Sequence, residues 1–205
     1  MVKTGSSLKK GDQTRRRIIE KSAPIFNQHG YAGTSMSELM AATGLEKGGI
    51  YRHFKSKRSL AGAAFDYAWE AVKIPRHQGI ESCTSSLEKL LLLVRNFVEE
   101  PVKAIPGGCP LLNTAVDSDD GDSLLRSKVS SALAQWRAKI SGLVREGQRD
   151  GELRKEVDPD SVAVLLIASL EGSVMMSRLE KSREPLRTVG KHLGEYLASL
   201  AVRTD

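Results

Sequence analysis

The chain has 205 residues, 40% hydrophobic and 27% charged, with a net charge of +6. That length supports one large or two small domains with a real core. Two cysteines, Cys83 and Cys109, are too few for a disulfide framework and suit a reducing compartment. The charge is lopsided: residues 1–75 hold 13 Lys/Arg against 6 Asp/Glu, and the remainder holds 18 against 19. Such a split fits a nucleic-acid-binding head on a near-neutral body and excludes a uniformly basic protein.

Residues 1–11, rich in Gly, Ser and Lys, read as a disordered basic arm. It is either a solvated tail or an arm laid on phosphates or in a minor groove, with Lys9, Lys10, Arg15, Arg16 and Arg17 as donors. The first residues are polar, with no apolar run behind them, so no signal peptide is expected. A helix is predicted from about Asp12 to His29, with Ile18, Ile19, Ser22, Ile25 and Phe26 inward. Pro24 kinks it or costs about 3 kcal/mol unless packing compensates. Gly30 closes it.

Ser35 followed by Glu38 is a capping box. Met36, Leu39, Met40 and Thr43 then form one face of a two-turn helix, and Gly44 ends it in the left-handed conformation. Leu45 anchors the corner. A second short helix is predicted from about Lys47 to Phe54, with Ile50 and Phe54 as its core face. Lys47, Gly48, Gly49, Tyr51, Arg52 and His53 are left on or near the exposed side. Two short helices around a glycine turn, the second with a basic face, are the physical form of a helix-turn-helix. Lys and Arg donate to guanine or phosphate, and Tyr and His to phosphate. Gly48 and Gly49 each cost about 1 kcal/mol of helix propensity, which makes sense where the backbone must approach a bulky neighbour. A plain helical hairpin with a solvated basic face is the other reading.

From Ser56 to Pro75 a helix carries Leu60, Ala64, Tyr67, Ala68, Ala71 and Val72, and Pro75–Gly79 marks a hinge. A Leu-rich helix over about Ser85–Glu99, a loop over Pro101–Cys109 and a polar break at Asp117–Asp122 follow. A long amphipathic helix spans about Ser123–Arg149, and Gly151 ends it. Asp158-Pro159 is an N-cap with proline at the first helical position. The helix behind it, Val162 to about Arg178, is apolar nearly all round, and a last helix runs from about Pro185 to Val202. No strand-like alternation of useful length occurs, so the fold class is all-α. The apolar runs Leu90–Val94 and Val162–Ser169 fall short of about 18–20 residues, so no membrane span is expected. A helix apolar on several faces needs cover on several faces. The cover is a second copy of the chain, through the last two helices, or the core of a monomer.

No catalytic constellation emerges, and no cofactor or metal site is expected. The four histidines are scattered without zinc spacing. Asp117–Asp122 has its glycine one place early for a calcium loop, with Lys128 at the twelfth position. No phosphate loop or nucleophile elbow occurs. Cys109, before Pro110, stands at a helix N-cap, where the dipole favours thiolate. It is either an electrophile-sensing thiol or a small buried turn residue.

The order Gly30-Tyr31, Thr34-Ser35, Gly44-Leu45, Lys47-Gly48, Ile50-Tyr51, His53-Phe54, Ser56-Lys57 and Leu60 closely resembles the N-terminal domain of TetR-family transcriptional repressors over residues 14–62. The resemblance implies a three-helix DNA-binding domain, with Thr34, Ser35, Tyr51 and Lys57 on phosphates and Lys47, Gly49, Arg52 and His53 towards the bases. Glu46 departs from the family's small capping serine; its carboxylate suits a helix N-terminus and can accept from cytosine N4. Arg58 replaces a common acidic residue.

The expectation is therefore a disordered arm at 1–11, a DNA-binding domain at 12–60 and a helical ligand-binding and dimerisation domain at 61–205. The chain is not an enzyme but a cytoplasmic homodimeric repressor on a palindromic operator. It is released by a small-molecule or electrophile effector, which the resemblance places among the central helices between about Leu87 and Met176. Phe97, Trp136, Met175 and Met176 are its candidate liners, although such residues are more often plain core. An effector-independent activator or architectural binder is the alternative, and an all-helical enzyme the remoter one.

Overall fold

Local capping signals set most of the helix boundaries in the computed structural model, which describes residues 10–99, 105–118 and 122–202. The expectations placed on residues 1–9 of the arm, on 101–104 and on 119–121 lie outside the described residues. Lys10 and Gly11 belong to the first helix. The helices are α1 (Lys10–Gly33), α2 (Met36–Thr43), α3 (Lys47–Tyr51), α4 (Lys57–Arg76), α5 (Ser86–Glu99), α6 (Pro110–Ser118), α7 (Ser123–Arg149), α8 (Pro159–Leu179) and α9 (Glu184–Ser199). Among the described residues the β-structure is one isolated bridge, Leu153 to Ala201.

The first helix keeps helical dihedrals through Pro24 and breaks at Gly30 (φ 73°, ψ 173°). Ser56 and Ser59 cap α4 reciprocally, each backbone N–H donating to the other's hydroxyl at 3.1 Å. Pro75 lies inside the last turn of α4, and left-handed Gly79 leads into a 3₁₀ turn, Ile80–Ser82, that the sequence reading lacked. Asp158 caps α8 by accepting from Ser161 N at 2.9 Å, with Pro159 opening the helix.

The described residues divide into two compact units. The first contains residues up to Trp69 together with Ile105–Lys128, and the second contains the rest. The first unit therefore extends past the expected boundary at residue 60 and includes α6. An amide hub explains why. Buried Asn27 of α1 donates through Nδ2 to Pro106 O (2.8 Å) and Gly108 O (3.1 Å). Asn113 of α6 donates through Nδ2 to Asn27 O (3.0 Å), Asn27 Oδ1 (3.1 Å) and Gly107 O (2.8 Å). Gly107 has φ 107°, and a Cβ there would lie 2.9 Å from Asn27 O. Asp117 adds a further tie, accepting from Tyr31 N at 2.6 Å.

In the second unit α9 packs against both α5 and α8. Val162, Ala163, Leu166, Ile167 and Leu170 of α8 are buried, whereas Val164, Leu165, Met175, Met176 and Leu179 are exposed. Interspersed Ser and Gly lengthen α8 beyond its uninterrupted apolar run. At 21 residues it is long and apolar enough, by length and composition, to cross a membrane. Its inner face instead builds the core of this unit and carries a charged residue, Glu171.

Replacing Asn113 tests the hub. Asn113→Ala should cost about 1–3 kcal/mol, because it removes the donor that three partly buried acceptors share. Asn113→Asp should cost more, since a carboxylate would then face three oxygens. Urea unfolding of the two variants against wild type measures both.

Candidate nucleic-acid interface

Ser35 and Glu38 form the predicted capping box. Ser35 N donates to Glu38 Oε2 at 2.7 Å, and Glu38 N donates to Ser35 Oγ at 3.2 Å. Gly44 ends α2 with φ 68°, its N–H bonded to Met40 O. Leu45 turns the corner and joins a core built on Ile18, Leu39, Ile50, Phe54 and Leu60, with Met36, Met40 and Phe26 packed around it. The second helix of the pair is shorter than expected. The helix ends at Tyr51, yet Arg52 keeps right-handed dihedrals (φ −64°, ψ −28°) and Ile50 O still accepts from both His53 N (3.0 Å) and Phe54 N (3.1 Å). The chain thus tightens at its last turn and tucks Phe54 into the core, under the guanidinium of Arg15 (4.8 Å from the ring centroid).

With Ile50 and Phe54 buried, α3 turns Lys47, Gly48, Tyr51 and Arg52 outward, and His53 and Gly49 are half-buried. A Cβ on Gly48 would meet nothing within 4 Å. The protein's own packing therefore does not require glycine there. Glu46 is exposed at the N-cap position and makes no side-chain capping bond. Ser35 is exposed beside the cap, and Lys57 sets its ammonium 4.6 Å from the Tyr31 ring centroid. Thr34 corrects one expectation. It is 1% exposed, and its hydroxyl donates to Gly30 O at 2.7 Å. It fastens the α1–α2 corner, so its side chain does not face a phosphate.

The residues weighed for effector binding are brought together only in part. Phe97 and Trp136 stack in the second unit, with centroids 5.8 Å apart and planes at 12°. Met175 and Met176 stand outside on α8. Sequence reasoning missed Arg76 and Glu171. The Arg76 guanidinium lies 3.9 Å from the Phe97 centroid and 5.7 Å from that of Trp136, and its Nη1 is 4.0 Å from Glu171 Oε1. Both charged side chains are 8% exposed. The available signal was Glu171 itself, an acid set into the apolar run of α8. A cavity of about 10 Å³ adjoins Arg76, Phe97 and Trp136. A wider groove of about 610 Å³ runs between α5 and α9 over Leu91, Leu92 and Val98 and is open to solvent. Cys109 stands at the N-cap of α6, its carbonyl accepting from Asn113 N at 3.0 Å, and is 1% exposed. Almost none of the residue is open to solvent in this conformation.

Residues 18–64 match the family described as bacterial regulatory proteins, tetR family, and residues 84–193 match a tetracyclin repressor-like C-terminal domain. A TetR transcriptional regulator from Chloroflexus aurantiacus is similar at 44% identity and a TM-score of 0.89, over 95% of this chain and 98% of that one. A TetR-family regulator from Cytophaga hutchinsonii is similar at 36% identity and a TM-score of 0.89, over 97% and 100%. The HTH-type transcriptional repressor DhaR of a Mycobacterium species is 27% identical over 173 residues, 84% of this chain and 86% of that protein.

Two hydrogen bonds from Ser35, backbone first and hydroxyl second, hold the Glu38 carboxyl below its usual value near 4.5, and His29, 3.0 Å away, adds to the effect. A depressed carboxylate stabilises the fold above its unfolded value, and that contribution is lost as pH falls through the folded one. The stability gap between wild type and Glu38→Gln should therefore be full at pH 6–7. It should close below about pH 4.5 in urea titrations run across that range.

Proposed function

The chain belongs to the tetR family of bacterial regulatory proteins, and from that premise we propose a repressor that binds a palindromic operator as a homodimer. A small molecule taken up by the second unit releases it. The protein acts in the cytoplasm, on the chromosome. The observation that carries this reading is α3: five residues held by buried Ile50 and Phe54, with Lys47, Tyr51 and Arg52 turned outward. Lys47 and Arg52 reach base edges, Tyr51, Ser35 and Lys57 meet phosphates, and Glu46 accepts from a cytosine amino group. Gly48 and Gly49 let the DNA backbone come close.

The exposed face of α8 supports the dimer. Leu165, Ala168, Gly172, Met175 and Leu179 follow one another at spacings of three and four, the pattern of a helix seam. All but Gly172 are exposed, and a Cβ at Gly172 would meet nothing within 4 Å. A second copy laid on this seam, with α9 beside it, closes a four-helix bundle. Two α3 helices about 34–36 Å apart, or a multiple of that, then read successive major grooves. The effector reading rests on the Phe97–Trp136 cluster with its buried ion pair and not on Cys109, which is closed off.

Fluorescence anisotropy on operator DNA, selected from genomic fragments, tests the reading. Arg52→Ala should cost about 1–3 kcal/mol of binding, and Lys57→Ala should lower the salt slope by about one. Gly48→Ala should stabilise the fold by up to about 1 kcal/mol while weakening operator binding. Wild-type affinity in both Arg52→Ala and Gly48→Ala would show that the face is misassigned. Gly172→Glu should sediment as a monomer and lose most operator affinity.

A further inference from the structure

We infer that the effector cavity of the second unit selects small apolar carboxylic acids, with Arg76 as the group that receives the carboxylate. The inference rests on the effector reading above and adds the ligand's chemistry to it. Arg76 and Glu171 are a buried pair in a domain that has little interior to spare. Such a pair contributes little net stability, because the cost of desolvating both charges offsets their attraction. A well-packed apolar pair would serve the core as well, so stability does not account for the charges.

The cavity's lining decides the sign of the guest. Among the described residues around it Arg76 is the one charged group, Trp136 adds an indole N–H donor, and the rest are Phe97 and aliphatic side chains such as Leu93, Ile140 and Leu166. Glu171 reaches Arg76 without lining the space. A molecule entering there meets mostly hydrocarbon, with donors only among the side chains' polar groups: the indole N–H and one guanidinium, whose planar fork matches a carboxylate. A cation would meet instead the positive group already lying on the Phe97 ring. The incoming carboxylate takes over part of the role of Glu171 as counter-charge. At about 10 Å³ the space holds no more than a water, so the guest's apolar body enters as Leu93 and the two rings give way. That favours short or flat acids.

Isothermal titration calorimetry on the full chain separates the possibilities. The probes are butyrate, butyramide and butylamine, with benzoate, benzamide and benzylamine as the flat set. The acids should bind at least tenfold more tightly than the amides, and the amines least. Glu171→Gln should tighten butyrate or benzoate at least tenfold, because it removes a carboxylate that competes for the guanidinium, whereas a cationic guest would be weakened. Arg76→Gln should abolish acid binding; if it does not fold, Arg76→Lys should weaken it while keeping the charge. Binding by amides or amines in preference to acids, or loosened acid binding in Glu171→Gln, would overturn the anion assignment and leave the cavity standing as the effector site. If none of the six gives heat or changes Trp136 fluorescence in a Trp69→Phe background, the cavity reading falls as well.

Discussion

A helix of five residues containing two glycines cannot hold its own shape in water, where even Ala-rich helices shorter than about 12–15 residues are marginal. Everything outward about α3 therefore depends on what two of its neighbourhood's side chains do inward. Ile50 is 1% exposed and Phe54 4% exposed, in a cluster with Ile18 of α1, Leu39 of α2 and Leu60 of α4. Three helices thus fix the position of a fourth that contributes almost no stability itself. The forked acceptance at Ile50 O, which lets the chain tighten before Phe54, keeps both anchors on one side. Because stability is supplied from the core, the outer residues of α3 are free to vary with what they must contact.

A second constraint ties this unit to a segment far along the chain. Asn27 and Asn113 satisfy five hydrogen bonds between them with the carbonyls of 106–108 and with each other's helix. A buried amide is tolerable only when its donors and acceptors are met, and here each side supplies what the other lacks. The backbone of α1 is thereby fixed to α6 at its Asn27 turn, and Asp117 holds Tyr31 beyond the Gly30 break. Movement of α6 would therefore displace the end of α1 on which Thr34 and the Ser35 cap are built.

What was legible in the sequence was what is local. Ser35 with Glu38, Gly44, Asp158 with Pro159, and the limits of α7 at Ser123 and Arg149 all follow from residues within one or two turns of each other. Thr34 was misread because its burial depends on Gly30 adopting a non-helical conformation that leaves its carbonyl facing back. That the first compact unit runs past residue 60 was hidden for a different reason. The partners of Asn27 lie about 80 positions away, and no periodicity announces them. Arg76 and Glu171 were invisible because a charged residue is ordinarily a solvated one. Only the interruption of an apolar helix by Glu171 hinted otherwise. Phe97 and Trp136 were recognisable as interior residues, but their stacking is a tertiary fact.

The two faces of α8 carry the remaining step. Glu171 points inward to Arg76, and Gly172, its neighbour in sequence, belongs to the outward seam. A helix is stiff, so one residue cannot be shifted without the next. If a guest's carboxylate takes the place of Glu171 beside Arg76, the displacement required on the inner side is felt one residue on, at Gly172 on the outer side. Gly172 and Ala168 allow close approach there, and close-packed contacts respond to shifts of a fraction of an ångström. In the proposed repressor two α3 helices must meet successive major grooves, which tolerate little error in the distance between them. Moving a 99:1 balance to 1:99 requires about 5.5 kcal/mol of differential binding. In the proposed site a buried ion pair whose counter-charge is exchanged for the ligand's supplies part of it, since the cost of desolvating Arg76 has already been met in the folded chain.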